Sequence, residues 1–321
     1  SSAVVYAEPN YMVNASVFPN DPMFGDQWGL HNTGVNGLED ADIDAPEAWE
    51  FRRGDDVIVG IIDTGIDSNH PDLADNMWVN QGEIPGDEVD NDNNGYIDDI
   101  HGWDFANNDN DPFDDDGHGT HVAGTVGAVG NNGTGVTGVN WHVQLMALKF
   151  LADDGWGSAS DAVSAIEYAI ENGAHLTNNS WGGDGFQQTL EDAIIAADMA
   201  GQLFIAAAGN EAIDTDMVPS FPAGYDVPNI ISVAATDPND ELAVFSNFGE
   251  FTVDLAAPGV DILSTVPGGY KLFSGTSMAS PYVAGVAALL YAPYVRGPAM
   301  AADVNPHHAI RDRLLNSVDE L

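Results

Sequence analysis

Six short apolar runs punctuate the chain: VIVGIID at 57–63, VQLMALKF at 143–150, HLTNNS at 175–180, QLFIAAA at 202–208, IISVAA at 230–235 and FTVDLAA at 251–257. Each is short and largely uncharged, the pattern of a strand buried on both faces. Segments of helical period lie between several of them. SASDAVSAIEYAIENG (158–173) offers Ser160 as a helix N-cap and Gly173 as its stop, and FQQTLEDAIIAADMAG (186–201) ends at Gly201 in the same way. HHAIRDRLLNSV (307–318) closes the chain as a further helix, with His307 and His308 at a solvated start. Strand–helix–strand alternation predicts a three-layer α/β fold, with a mostly parallel central sheet and helices on both faces. Such sheets gather their sites at the carboxyl ends of the strands. GTGVTG at 133–138 fits a dinucleotide fingerprint. It follows a helical pattern and precedes a strand, the reverse of what phosphate binding needs, so nucleotide binding is excluded.

Charge changes the picture more than size does. The 321 residues carry 51 acidic side chains against 7 basic ones, and Lys149 and Lys271 are the only lysines. A net charge of −44 repels nucleic acid and anionic membranes. It also strains the folded state unless salt or bound cations screen it. A salt-adapted surface and heavy calcium loading are both compatible with it. The longest apolar run, VAGVAALLYA at 283–292, is too short to span a bilayer. There is no cysteine, which removes disulfides, thiolate metal sites and cysteine nucleophiles. Bound metal is then the usual substitute for covalent stabilisation.

Three segments carry candidate chemistry. GIIDTGID puts Asp63 at the end of a buried strand, DGHGTHVAG puts His118 at the start of a helix, and FSGTSMASPYVAGVAALL puts Ser277 at the start of another with Pro281 in its first turn. Together they supply an orienting carboxylate, a base and a nucleophile. These segments resemble the subtilisin-like serine peptidases, and more narrowly their thermitase-like branch. DTGID–HPDL, HGTHVAG and GTSMASP match in order, and the resemblance runs from about Asn20 to the end of the chain. It implies a serine endopeptidase that works through an acyl-enzyme: Ser277 attacks, His118 moves the proton, Asp63 holds the imidazole, and Asn210 in AAAGN donates to the oxyanion with Thr276 in support. His121 is expected to be a satisfied core histidine, and Asp67 a residue that fixes its own loop.

The same resemblance implies that peptide binds as an added strand between two edges, DGWGSA (Gly155, Trp156, Gly157) and NSWGGD (Ser180, Trp181, Gly182). The specificity pocket would be lined by Ser180–Gly182 and by Ala207–Gly209, with Ser220 at its base. No acid lies there, so a broad apolar or aromatic preference is expected. Trp156 and Trp181 either cover the pocket or simply pack.

Two to three calcium sites are expected. EVDNDNNGYIDD alternates oxygen donors at Asp90, Asp92 and Asn94, with Gly95 at the turn and the Tyr96 carbonyl next. Position twelve of such a loop is His101, so Asp98 or Asp99 would supply the last carboxylate. The resemblance implies a second site from Asp21 and Asp72 with Asn132 and the carbonyls of Val129, Thr134 and Val136, and a looser third from Asp104, Asp109 and Asp111, with Asn107 nearby. The run Asp114–Asp116 matches no ligand pattern and reads as a solvated acidic turn.

Residues 1–15 look like the tail of an inhibitory propeptide, with a maturation cut near Asn14 to Ser16, ahead of a catalytic domain over 16–321 that lacks the family's closing segment. Five to seven residues extend at most about 25 Å, so an uncut chain is expected to be unable to fill both the active site and the Asp21 position. The expected protein is a secreted, monomeric, calcium-dependent endopeptidase acting on peptides, with its propeptide as inhibitor and no nucleic-acid or membrane partner. The alternative is a catalytically silent relative that binds calcium or protein.

Overall fold

The computed structural model describes residues 17–35, 37–296 and 306–318. The expected propeptide tail and cleavage point lie outside the described residues. In chain order the elements are α1 (Ala45–Trp49), β1 (Gly54–Asp63), β2 (Gly102–Asp104), α2 (His118–Gly127), β3 (His142–Lys149), α3 (Ala159–Glu171), β4 (Leu176–Asn179), α4 (Gln188–Ala200), β5 (Leu203–Ala207), β6 (Ile230–Thr236), β7 (Leu255–Pro258), β8 (Ile262–Val266), β9 (Gly269–Phe273), α5 (Thr276–Arg296) and α6 (Pro306–Leu315). Strands β1 to β7 form one parallel sheet in the order β2-β3-β1-β4-β5-β6-β7, while β8 and β9 pair as a separate antiparallel hairpin.

The apolar runs are continuous because both faces of the sheet are covered. On β1, Val57, Val59 and Ile61 enter one core with α2 and α5, whereas Ile62 enters the other with α3 and α4. On β3, Val143, Leu145 and Ala147 face the first core, and Met146 and Leu148 the second. On β5, Leu203 and Ile205 oppose Phe204 and Ala206 in the same way. Helix α5 has the length and composition of a membrane span, but 72% of that stretch is buried in the protein, against the sheet and α2.

Several boundaries differ from the sequence reading. Helix α3 is capped by Ser158, whose hydroxyl accepts from the Asp161 amide, and not by Ser160. Only the second half of FTVDLAA is strand. Strand β2 is too short to show a period, and the β8–β9 hairpin was not recognised because it lies outside the sheet and keeps exposed positions. The helix at 307–318 begins at Pro306, and its start is not solvated: His307 is 1% exposed.

The β8–β9 hairpin locks α2 in place. The Ser264 and Thr265 hydroxyls donate to the His121 and Thr120 carbonyls at 2.7 and 2.8 Å. Gly124 is where helix and hairpin touch, since a Cβ there would fall inside the contact radius of Thr265 Oγ1 and Ser264 Oγ. Gly124→Ala should therefore lower stability by about 1–3 kcal/mol through overpacking. Urea unfolding checks this; an unchanged midpoint would mean that the hairpin is free to retreat.

Candidate active site

Parallel β1 ends at Asp63, which is fully buried. Its Oδ1 accepts from the Thr64 amide and from His118 Nδ1, both at 2.7 Å. That hydrogen bond fixes the tautomer, leaving His118 Nε2 free to take a proton. His118 is the first residue of α2. Its side chain is 26% exposed, so one edge of the ring faces solvent.

Ser277 is the second residue of α5. Pro281, at the sixth position rather than in the first turn, has no N–H to give to the Ser277 carbonyl. The Ser180 hydroxyl fills that gap, donating to the Ser277 carbonyl at 2.8 Å. Ser180 is itself held by the Asn178 amide at 2.9 Å and meets the Ser280 hydroxyl at 3.0 Å. In this conformation the Ser277 hydroxyl donates to the Ser180 carbonyl at 3.2 Å and not to His118.

Asn210 has its carbonyl oxygen occupied, accepting from the Thr276 amide at 2.8 Å and hydroxyl at 3.0 Å. This assigns the flip of its amide and leaves Nδ2 as a free donor beside Gly275 and Ser277. The Asn210 donor and the Ser277 hydroxyl thus lie together at the start of α5, and Ser180, which bonds the Ser277 backbone, lines the same cavity as His118.

The chain matches the subtilase family over residues 54–321. It is 39% identical to thermitase of Thermoactinomyces vulgaris over 85% of both chains. It is 42% identical to a thermophilic serine proteinase of Bacillus sp. strain AK1, over 89% of this chain and 63% of that protein's length. A crystal structure of a cold-adapted subtilisin-like serine proteinase superimposes with a TM-score of 0.65 at 31% identity, covering 88% of this chain and 89% of that one. The chain belongs to the subtilase family of serine endopeptidases.

Beside the subtilase triad lies a cavity of about 550 Å³. Gly155, Trp156 and Gly157 form one wall and Ser180, Trp181 and Gly182 the other, with Phe150, Leu190 and Phe221 behind and His118 at its mouth. Trp156 is 79% exposed and stands over the cavity, whereas Trp181 packs on Phe150. Ala207, Gly209 and Ser220 are not among its walls. Ala207 is buried at the end of β5, the side-chain position of Gly209 is backed by Asn247 and Glu211, and Ser220 lies behind Gly182.

Of the expected calcium ligands, Asp21, Asp72 and Asn132 converge. Asp21 accepts from the amides of Asn131, Asn132 and Gly133, and Asp72 from the Asn132 side chain, the Val136 amide and the Tyr270 hydroxyl. Val129 is tied to the same loop through its amide on the Asp72 carbonyl, and Thr134 through its amide on Asn132 Oδ1. Burial raises the Asp21 pKa above the ordinary carboxyl value, and the charge of Asp72 adds to this. Among the described residues no cation pairs with either. Two buried, mutually repelling carboxylates beside the side-chain oxygen of Asn132 suit Ca²⁺, a cation that takes oxygen ligands.

In the second loop Asp90 and Asp92 gather with Glu83, which the sequence reading missed because it lies seven residues upstream of the loop. Asn94 bonds Asp92 and Asp99 through its amide nitrogen, and its carbonyl accepts from the Tyr96 amide. Asp98 does not join: its carboxylate is held by the Gly86 and Glu88 amides at 2.8 and 2.9 Å. The third group does not close. Asp104 is buried and capped by Asn107, while Asp109 and Asp111 are exposed.

The acidic run before His118 is only in part a solvated turn: Asp115 and Asp116 are exposed, and Asp114 is not. Asp114 is fully buried and accepts from Thr64 Oγ1 and from the amides of Gly117 and Thr120. Asp115 pairs at 2.7 Å with Lys149, which is 1% exposed. Only Asp116 is left on the cavity rim, accepting from the His118 amide. His121 does sit in the core: Nε2 faces the carbonyls of Ile262 and Lys271, and burial lowers its pKa to about 4.

Burial pulls the His118 pKa down, but the charge and hydrogen bond of Asp63, with Asp116 and Asp114 adding, leave it above the ordinary imidazole value. His118 must be neutral to act as base, so activity rises as pH climbs through that value. Asp116→Asn should therefore move the acidic limb of the rate profile to lower pH. Added salt, by screening the same charges, should move it the same way. Profiles of kcat/KM against pH at low and molar salt check both; a limb that stays fixed under both changes rules out this electrostatic account.

Proposed function

We propose that this subtilase is a secreted, calcium-stabilised endopeptidase of broad specificity, preferring apolar or aromatic side chains beside the scissile bond. The observation that carries the reading is the 2.7 Å bond from His118 to buried Asp63, set at the mouth of a largely apolar cavity. Substrate would lie along 155–157 and 180–182 as an added strand, with its backbone supplying affinity and the cavity supplying preference. Ser277 would turn from the Ser180 carbonyl to His118 and attack the scissile carbonyl while His118 Nε2 takes its proton. Asp63 stabilises the imidazolium that forms, and His118 then returns the proton to the leaving amine. The oxyanion would lie between Asn210 Nδ2 and the Ser277 amide at the start of α5, where the helix dipole favours negative charge. Water then repeats the sequence on the acyl-enzyme.

Calcium at the Asp21–Asp72–Asn132 loop would neutralise the converging carboxylates, and the Glu83–Asp90–Asp92 cluster offers a second position. No reaction step uses it. Its role is to hold loops that the chain's own charge would drive apart. Release outside the cell would suit this reading, since a cysteine-free chain with buried acidic loops gains most from a calcium-rich medium. The surface excess of carboxylates further supports function in salt.

Peptide-anilide hydrolysis tests the chemistry. Ser277→Ala should abolish turnover, and Asn210→Ala should lower kcat on the order of 10²–10³-fold with KM little changed. Retained hydrolysis in the serine variant would remove Ser277 as the nucleophile, and absence of hydrolysis by the parent protein with calcium present would transfer the reading to the silent relative. In the inert Ser277→Ala protein, a calcium chelator should lower the melting temperature reversibly; an unmoved transition would remove calcium from the proposal.

A further inference from the structure

We infer that Asp198, His307 and His308 form a binding site for a divalent ion of borderline softness, of the Zn²⁺ class, clamping α6 to the end of α4. His307 Nε2 lies 3.0 Å and His308 Nε2 2.6 Å from the same oxygen, Asp198 Oδ1. One ligand atom from each of the three lies within 4.8 Å of the others. Imidazole nitrogens select Zn²⁺, Cu²⁺ or Ni²⁺ over Ca²⁺. In a tetrahedral zinc site, metal bonds near 2.0–2.2 Å put neighbouring nitrogen and oxygen ligands about 3.3 Å apart. The observed contacts need to open by only about 0.3 and 0.7 Å to reach that spacing.

The surroundings favour a ligand in this position. His307 is 1% exposed, so a bond from its Nε2 to an ion would be shielded from water, while Nδ1, on the far side of the ring, is buried with no partner. The rings of His307 and His308 lie 4.0 Å apart, tilted so that both Nε2 atoms face the one carboxylate. The other side of the site is open: the side chains of Asp198 and His308 are 20% and 35% exposed, which leaves room for water to complete the coordination. Asp198 sits in the last turn of α4, where the helix end carries partial negative charge. The residues joined are 109 and 110 positions apart, so in a chain without cysteine the ion would act as a cross-link.

The test uses full-length Ser277→Ala protein, which cannot digest itself, stripped of metal and returned to excess Ca²⁺ so that the oxygen sites are filled. Zn²⁺ is then titrated by calorimetry, and Co²⁺ by its visible absorption. We expect one Zn²⁺ per chain at this site, a rise in melting temperature on binding, and Co²⁺ absorption of nitrogen–oxygen ligation. His308→Gln and Asp198→Asn, both on partly exposed side chains, should fold with unchanged circular dichroism, weaken that Zn²⁺ at least 100-fold and lose the thermal shift. Absence of Zn²⁺ binding in the calcium-loaded parent, or equal stoichiometry and thermal shift in both variants, would overturn the assignment.

Discussion

A helix that begins with a catalytic histidine cannot cap itself when the residue before it is glycine. Its first backbone N–H groups still need partners, because buried orphans are costly. Gly117, in a left-handed conformation, precedes α2 and offers no side chain. The partners come from elsewhere: the amides of Gly117 and Thr120 donate to Asp114, that of His118 to Asp116, and that of Gly119 to the Thr64 hydroxyl. Thr64 also donates to Asp114, and Lys149 reaches from the end of β3 to hold the Thr64 carbonyl and Asp115. The acidic run is thus the external cap that sets His118 against Asp63, and the one buried lysine keeps it from flying apart.

The nucleophile end solves a related problem in the opposite sense. There proline removes a donor, and the orphaned Ser277 carbonyl is satisfied from the neighbouring edge by Ser180. Because Ser180 also belongs to the cavity wall, the serine helix and the wall are one hydrogen-bonded unit. Pocket and nucleophile keep their spacing without any covalent tie. His118 and Ser277 are consequently each positioned through a backbone group that their own helix could not satisfy.

The charge of the chain is managed by distribution. Asp63, Asp72 and Asp114 are each at 0% exposure and are met by amides, hydroxyls or an imidazole, and of these three only Asp114, through its neighbour Asp115, has a lysine or arginine paired close by among the described residues. Amide and hydroxyl donors stabilise carboxylates without counter-charge. Where two carboxylates face each other, as at Asp21 and Asp72, donors reduce the repulsion without removing it, and a cation is the remaining means of doing so.

What the sequence determined by itself was whatever depends on neighbours along the chain. The apolar runs located the principal strands because burial on both faces leaves no alternation to misread; Asp63 stood out at the end of such a run, and His118 and Ser277 at helix starts flanked by glycine, threonine and small residues, whereas Asn210 was legible only through resemblance. Asp21, Asp72 and Asn132 were legible only through resemblance, although the structure brings them together. Tertiary structure decided the rest. Asp114 and Asp115 look as solvated in sequence as Asp116, and only the approach of Thr64 and Lys149 buries the one and pairs the other. Glu83 enters its cluster, and Asp98 leaves it, because a loop's carboxylates turn to whichever amides the fold brings near. His307 and His308 resemble an exposed helix start until α4 presents Asp198 to them. Local pattern fixes which groups can act; what they act on is set by contacts between segments a hundred residues apart, whose energies no local window contains.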